Sequence, residues 1–305
     1  MKNQTFKEII DQVGKVVLGK EKQIRLALTC LFAKGHLLIE DIPGIGKTTL
    51  AKVLSVCLGL KFQRIQCTSD MLPGDILGFN VYDRNNGSFE FHSGPIFTNV
   101  LLADEINRTT PKTQSALLEA MEEQQVTLEG QTRTLDEPFF VIATQNPLEH
   151  SGTYPLPESQ LDRFLMRISI GYPGRLAEKN LLMGEETKTI LSGMKECMFH
   201  DDVLTVQEKV KNVHASDAFF EYLQDLLDFT RNSEHFHMGL SPRAGIALLQ
   251  AARSWAFIDG REFVVPDDLQ NVLPWVIGHR LHSRDDLGEI PRDRLNTIMM
   301  DVPIP

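Results

Sequence analysis

The sequence predicts an α/β protein: a parallel sheet with flanking helices, then a small all-helical domain. Three observations predict it. Apolar runs at residues 36–40, 100–103 and 139–144 read as buried parallel strands. The first run passes through a glycine turn straight into an amphipathic helix, the unit from which such sheets are built. After about Gly174 the strand signals stop while helical periodicity continues. The composition shift divides the chain into a core over residues 1–176 and a helical domain over residues 177–305.

Each element has its own signal. Thr5 and Glu8 have capping-box spacing, and Phe6, Ile9, Ile10 and Val13 follow at helical intervals, so a first helix is expected there. A second runs from about Lys20 to Lys34, with Ile24, Leu28 and Leu31 on one face and Gly35 placed to end it. Past the glycine turn, Leu50, Val53, Leu54, Cys57 and Leu58 share a helical face. Thr110 is placed to cap a helix with Pro111 at its first position and Leu117, Ala120, Met121 and Gln124 on one face. Two hairpins interrupt the α/β pattern. One pairs residues 79–82 with 88–91 around Asn85-Asn86-Gly87; the other pairs 125–128 with 132–135 around Gly130. Later, residues 176–183, 219–229, 242–258 and 266–279 read as helices.

Composition narrows the function classes. Apolar residues at 42% and charged residues at 24% suit a globular chain that buries a sizeable core. A net charge of −10 argues against a nucleic-acid footprint spread over the whole surface. No run approaches the roughly 18 apolar residues of a membrane helix, and the polar N-terminus lacks a signal peptide's apolar stretch. Cys30, Cys57, Cys67 and Cys197 form no CxxC pair and have no histidine at metal-ligand spacing. His235 with His237, and His279 with His282, lack partner ligands for a metal. A cytoplasmic protein without a membrane segment is expected.

The glycine turn carries the clearest chemistry. It reads Asp41-Ile42-Pro43-Gly44-Ile45-Gly46-Lys47-Thr48. Backbone N–H groups of a tight turn at a helix N-terminus can wrap phosphates, and the two glycines let the backbone come close. Lys47 can reach the β and γ phosphates, and the Thr48 hydroxyl can hold Mg²⁺. The usual pattern has glycine where this chain has Asp41. Asp104 and Glu105 end the second strand; there one acid supports Mg²⁺ and the next polarises the attacking water. Asn146 stands at the tip of the third strand, where it can orient water or simply favour the turn before Pro147. Arg163, in Leu161-Asp162-Arg163-Phe164, can stabilise transition-state charge at a subunit boundary. Ser241 and Pro242 start a helix that carries Arg243 in its first turn, where the dipole disfavours a cation. An unfavourable placement points to a task such as binding phosphate.

The combination resembles AAA+ ATPases and, within them, the MoxR family. The resemblance rests on Glu40 to Thr48, Gly94-Pro95-Ile96-Phe97 and Ala103-Asp104-Glu105-Ile106-Asn107-Arg108. It continues through Pro111 to Met121, Ala143-Thr144-Gln145-Asn146-Pro147, Gly152 to Glu158, Leu161 to Leu165 and Ser241-Pro242-Arg243-Ala244. These blocks cover most of residues 36–168 and part of the helical domain. Asp41 in place of glycine looks normal in that family, while Ser151 and Ser159 stand where an acid and an alanine are expected.

The resemblance implies ATP and Mg²⁺ as cofactors. It implies that Asp41, Ile42, Pro43, Gly44, Ile45, Gly46, Lys47, Thr48 and Thr49 contact ATP, with Thr48 and Asp104 at the metal. Glu105 is then the catalytic carboxylate, Asn146 sensor 1, Arg163 the arginine finger and Arg243 sensor 2, the helical domain being the lid. A finger acting in trans implies a homo-oligomeric ring, usually a hexamer, with ATP between the core and lid of one subunit and Arg163 of the next. In related proteins the two hairpins face the central pore. Such proteins look like chaperone-type motors that work with partners carrying a von Willebrand factor A domain. They mature protein complexes, including by insertion of metals or cofactors. The expected function is ATP-driven remodelling, without a nucleic-acid partner. A nucleotide-gated binding module with little turnover is the alternative, against which Glu105 and Asn146 weigh; the acidic balance weighs against a nucleic-acid motor.

Overall fold

The computed structural model describes residues 2–148, 152–182 and 193–304. Helices α1 (Lys2–Gly14) and α2 (Glu21–Phe32) precede strand β1 (Leu37–Glu40) and helix α3 (Lys47–Cys57). Next come β2 (Phe62–Gln66), α4 (Pro73–Leu77), β3 (Gly78–Asp83), β4 (Ser88–Ser93) and β5 (Val100–Asp104). A single 3₁₀ turn at Ile106–Arg108 leads to α5 (Pro111–Glu123), β6 (Gln125–Leu128), β7 (Gln131–Thr134), β8 (Phe140–Gln145), α6 (Glu158–Leu161) and β9 (Met166–Ile168). The remaining elements are helices, with isolated β-bridges in the loops between them: α7 (Arg175–Leu182), α8 (His200–Lys211), α9 (Asp217–Asn232), α10 (Pro242–Ile258), α11 (Pro266–Ile277) and α12 (Arg292–Met299).

Five strands form one sheet in the order β2-β5-β8-β1-β9, and every neighbouring pair is parallel. Alternate residues of the central strands serve two apolar layers, as the two-residue period of a strand requires. Leu37 and Ile39 join Leu50, Val53 and Leu54 of α3, and that layer runs on into Leu248 and Trp255 of α10. Leu38, Leu101 and Val141 point the other way, onto Leu117, Leu118 and Met121 of α5. Helices on both faces explain why β1, β5 and β8 are apolar without alternation. The fold is therefore α/β with a helical lid.

The differences from expectation have local causes. Helix α1 begins at Lys2, so Thr5 lies inside it rather than at its cap. Thr110 stands at the N-cap of α5, but its hydroxyl meets the Thr113 hydroxyl at 3.2 Å instead of a helix amide. Ser241 does cap its helix, accepting from the Ala244 amide at 3.2 Å. Both hairpins form, as β3–β4 and β6–β7. Met183, the expected end of a helix, and Ser151 lie outside the described residues. Strands β2 and β9 were unanticipated: β2 is an edge strand of mixed polarity, and β9 has three residues.

His36 ties the sheet to α5. Its Nδ1 accepts from the Val141 amide at 3.0 Å, so the opposite nitrogen, Nε2, carries the proton and donates to the Met121 carbonyl at 3.1 Å. Burial pushes this imidazole from 6.5 down to about 4. As pH falls through 6.5 the unfolded chain takes up this proton before the folded one does, so the His36 contribution is lost between pH 6.5 and 4. Between pH 7.5 and 5 wild type should lose about 2 kcal/mol more stability than His36→Asn, measured by urea denaturation at each pH. His279, also held neutral by burial, leaves a residual slope of the same sign in both proteins.

Candidate active site

The strand directions assemble the site. Because β1, β8 and β5 are parallel neighbours, the segments leaving them emerge on one edge of the sheet. Those segments carry Asp41 to Thr48, Gln145 with Asn146, and Asp104 with Glu105. Gly44 and Gly46 have φ of 84° and 91°, in the left-handed region that favours glycine. A Cβ added to either would project into open space, so it is the backbone conformation and not crowding that calls for glycine at both positions. Lys47 is buried, and its ammonium donates to the carbonyls of Asp41 at 2.5 Å and Gln145 at 3.4 Å. Burial lowers its pKa; the carboxylates of Asp104, Asp41, Glu105 and Glu40 pull the other way.

Asp41 has a structural task at the position where the usual loop has glycine. One carboxylate oxygen accepts from the Ile42 amide at 2.9 Å and the other from Gly171 at 2.6 Å. It thereby fastens the glycine loop to the segment after β9. Val16, Val17, Leu18, Lys20, Gly171 and Pro173 line a cleft of about 210 Å³ against Gly44, Ile45, Gly46 and Thr49. Its apolar wall beside a phosphate-type turn suits a purine. Val16 to Leu18 follow helix α1 without periodicity, so nothing in the sequence pattern marked them.

The two acids are held separately. The Asp104 carboxylate accepts from Thr144 Oγ1 at 2.6 Å and pairs with Arg64 of β2 at 2.6 Å. Glu105 sits in the left-handed region at φ 60°, an uncommon conformation for a side chain of its kind and one that clusters at functional sites. Its Oε2 takes Gln66 Nε2 at 3.1 Å and Arg108 Nε at 2.9 Å. Asn146 accepts the Leu148 amide at 3.2 Å through its side-chain oxygen, the turn contact that its place before Pro147 suggested. Thr48 lies in the first turn of α3 and Asp104 ends β5, so a hydroxyl and a carboxylate, the hard oxygen types that Mg²⁺ takes alongside waters, leave the same edge of the sheet.

Arg163 and Arg243 come together, but at the other edge of the sheet. Both pair with Glu122 of α5, Arg163 Nε at 3.1 Å and Arg243 Nη2 at 2.9 Å. Arg163 precedes β9, and Leu165 bonds the His36 carbonyl at the start of β1. The glycine loop leaves the far end of that strand, four residues on, which is about 13 Å away. Arg243 is therefore not beside its own glycine loop, where a lid closing on ATP in the same subunit would put it. Asp162, next to Arg163, takes Arg280 Nε at 2.6 Å, and Arg280 also donates to the carbonyls of Phe164 at 2.8 Å and Leu165 at 3.3 Å. Glu122 and Arg280 escaped the sequence reading because neither sits in a recognisable pattern.

A glycine phosphate loop at the carboxyl edge of a parallel sheet, an acid pair beside it and a helical lid define an ATPase of the AAA+ class. The comparisons agree. Residues 36–166 match the ATPase family associated with various cellular activities (AAA), and residues 228–298 match the AAA lid domain. The chain is 38% identical to Chaperone MoxR1 of Mycobacterium tuberculosis, over 99% of this chain and 82% of that protein. It is 45% identical to the uncharacterized protein YeaC of Bacillus subtilis, over 89% of this chain and 85% of that one. A crystal structure from Cytophaga hutchinsonii, described as that of an ATPase by assignment, superposes with a TM-score of 0.91 at 37% identity, covering 100% of this chain and 96% of that one. The chain belongs to the MoxR family of AAA+ ATPases.

Burial separates structural from available arginines. The Arg280 side chain is 6% exposed, against 29% for Arg163 and 48% for Arg243. Arg280→Ala should cost about 3–5 kcal/mol, because it strands a carboxylate and several carbonyls. Arg163→Ala and Arg243→Ala should each cost no more than about 1 kcal/mol. Urea denaturation midpoints check the contrast.

Proposed function

We propose that this chain binds and hydrolyses Mg-ATP as a subunit of a ring and uses the cycle to remodel protein partners. The observation that carries this reading is the placement of the glycine loop and the two arginines at opposite edges of one sheet. A subunit so built presents two different, complementary surfaces. Head-to-tail association of such surfaces closes into a ring when the rotation between subunits divides a full turn. In the ring, the arginines of one subunit reach the γ-phosphate held by the next.

The loop amides and Lys47 hold the phosphates, with Thr48 and Asp104 at Mg²⁺, which draws charge from the γ-phosphate oxygens when bound. Glu105 polarises the attacking water once it leaves Gln66 and Arg108, and Asn146 orients it. Arg163 and Arg243 stabilise the charge that develops on the transferred group. Phe79, Tyr82 and Phe89 are more than half exposed on the β3–β4 hairpin, which supports contact with a protein client. Arg133 of β7 lies over the Phe91 ring at 3.9 Å, and Asn80 bonds Glu129 at 2.6 Å, so the two hairpins are linked and can move together. The family likeness supports a chaperone-like role; a partner with a von Willebrand factor A domain, metal or cofactor insertion, hexameric size and a cytoplasmic setting belong to this proposal. Among the described residues no helix is long and apolar enough to cross a membrane.

Phosphate release per subunit should rise steeply with protein concentration. Arg163→Ala should lower the plateau by about 10³-fold or more, and Glu105→Gln by about 10²–10⁴-fold. Turnover that is negligible at every concentration, with ATP bound, would instead identify a nucleotide-gated binding module.

A further inference from the structure

Glu122 lies in the last turn of α5, immediately before hairpin β6–β7. A carboxylate is disfavoured at that end of a helix by the backbone dipole. There it divides its oxygens between two arginines from different domains: Oε2 takes Arg163 Nε at 3.1 Å, and Oε1 takes Arg243 Nη2 at 2.9 Å. Among the described residues it is the carboxylate within ion-pair distance of both. Asp162 lies 3.9 Å from Arg243 and is already engaged by buried Arg280. The contact through Nε leaves the two terminal amino groups of Arg163 uncommitted to Glu122.

We propose that Glu122 is a positioning residue for turnover, holding Arg163 and Arg243 as one unit at the separation that a neighbour's γ-phosphate requires. This rests on the trans-acting reading above. Two guanidinium groups this close repel each other, and each sits on a flexible, partly exposed side chain. One carboxylate between them screens the repulsion and fixes both rotamers. It also fixes the core arginine relative to the lid arginine, so lid movement carries the pair together. A phosphate then meets two donors already in register, which is how orientation lowers a barrier without altering ground-state binding. ATP affinity belongs to the glycine loop of the other subunit and is untouched.

The test is steady-state ATP turnover at saturating protein concentration for wild type, Glu122→Ala, Glu122→Gln, Arg163→Ala and Glu122→Ala/Arg163→Ala. Glu122→Ala should lower kcat by about 10–100-fold, with KM for ATP within about twofold and a Tm shift of only about 2 °C. Glu122→Gln, with one oxygen left to accept, should fall between wild type and alanine. The double variant should fall below Arg163→Ala by less than Glu122→Ala falls below wild type, since only the Arg243 contact is then left for Glu122 to hold. Wild-type kcat in Glu122→Ala beside a dead Arg163→Ala would overturn this inference and leave the ring ATPase standing. Loss of kcat accompanied by a large fall in Tm or a rise in KM would make Glu122 structural and overturn it as well. Full turnover in Arg163→Ala would remove the trans reading and this inference with it.

Discussion

A parallel sheet has two chemically different edges, and the rest of this structure depends on that asymmetry. Every strand of the five enters at one edge and leaves at the other. The leaving edge gathers the glycine loop, the acid pair and Asn146 from strands that neighbour each other in space but not in sequence. The entering edge gathers His36 and Arg163, with Glu122 at the end of the helix that crosses back. An antiparallel arrangement would mix the two sets. The β1 length of four residues is enough to keep them apart, since no arginine side chain folds back along the strand through a filled core.

The lid is joined to the core by arginines at both edges. Near the leaving edge, Arg167 of β9 donates to Glu40 at 2.9 Å and to the Gly278 carbonyl at 2.8 Å, and pairs with Glu289. Burial raises the Glu40 pKa and the Arg167 charge offsets part of that rise. Glu40 directly precedes Asp41, so the glycine loop and the lid share one charge cluster centred on buried Arg167. Near the entering edge, Arg280 binds the backbone around Arg163. Breaking either joint leaves charges buried without partners, which favours a lid that moves with β9 over one that swings freely.

Much of this was legible in the sequence because the chemistry is local. Asp41 to Thr48, Asp104 with Glu105, and the arginines at 163 and 243 each sit in a short motif at the end of a periodic element. The central strands were legible as apolar runs because helices cover both of their faces. What escaped was set by tertiary geometry. Strand β2 reads Phe62-Gln63-Arg64-Ile65-Gln66, so it lacks an apolar run, yet Arg64 and Gln66 hold Asp104 and Glu105. Val203, Val206 and Val210 of α8 are buried at helical spacing, but β-branched residues weaken a helix signal. Glu122 is one acid among several in α5 until the fold brings two arginines to it. The edge on which Arg243 lies could not be read from a motif at all, because it depends on how the lid docks.

The central claim is that each site is completed by a neighbour. The most direct measurement mixes two inactive proteins: Lys47→Ala, which keeps its arginines, and Arg163→Ala/Arg243→Ala, which keeps its glycine loop. At equal amounts with random assembly, about one interface in four pairs an intact loop with intact arginines. ATP turnover should then return to a comparable fraction of wild type, where each protein alone has almost none. A mixture as inactive as its components, in rings shown to exchange subunits, would contradict the account and return the arginines to their own subunit's site.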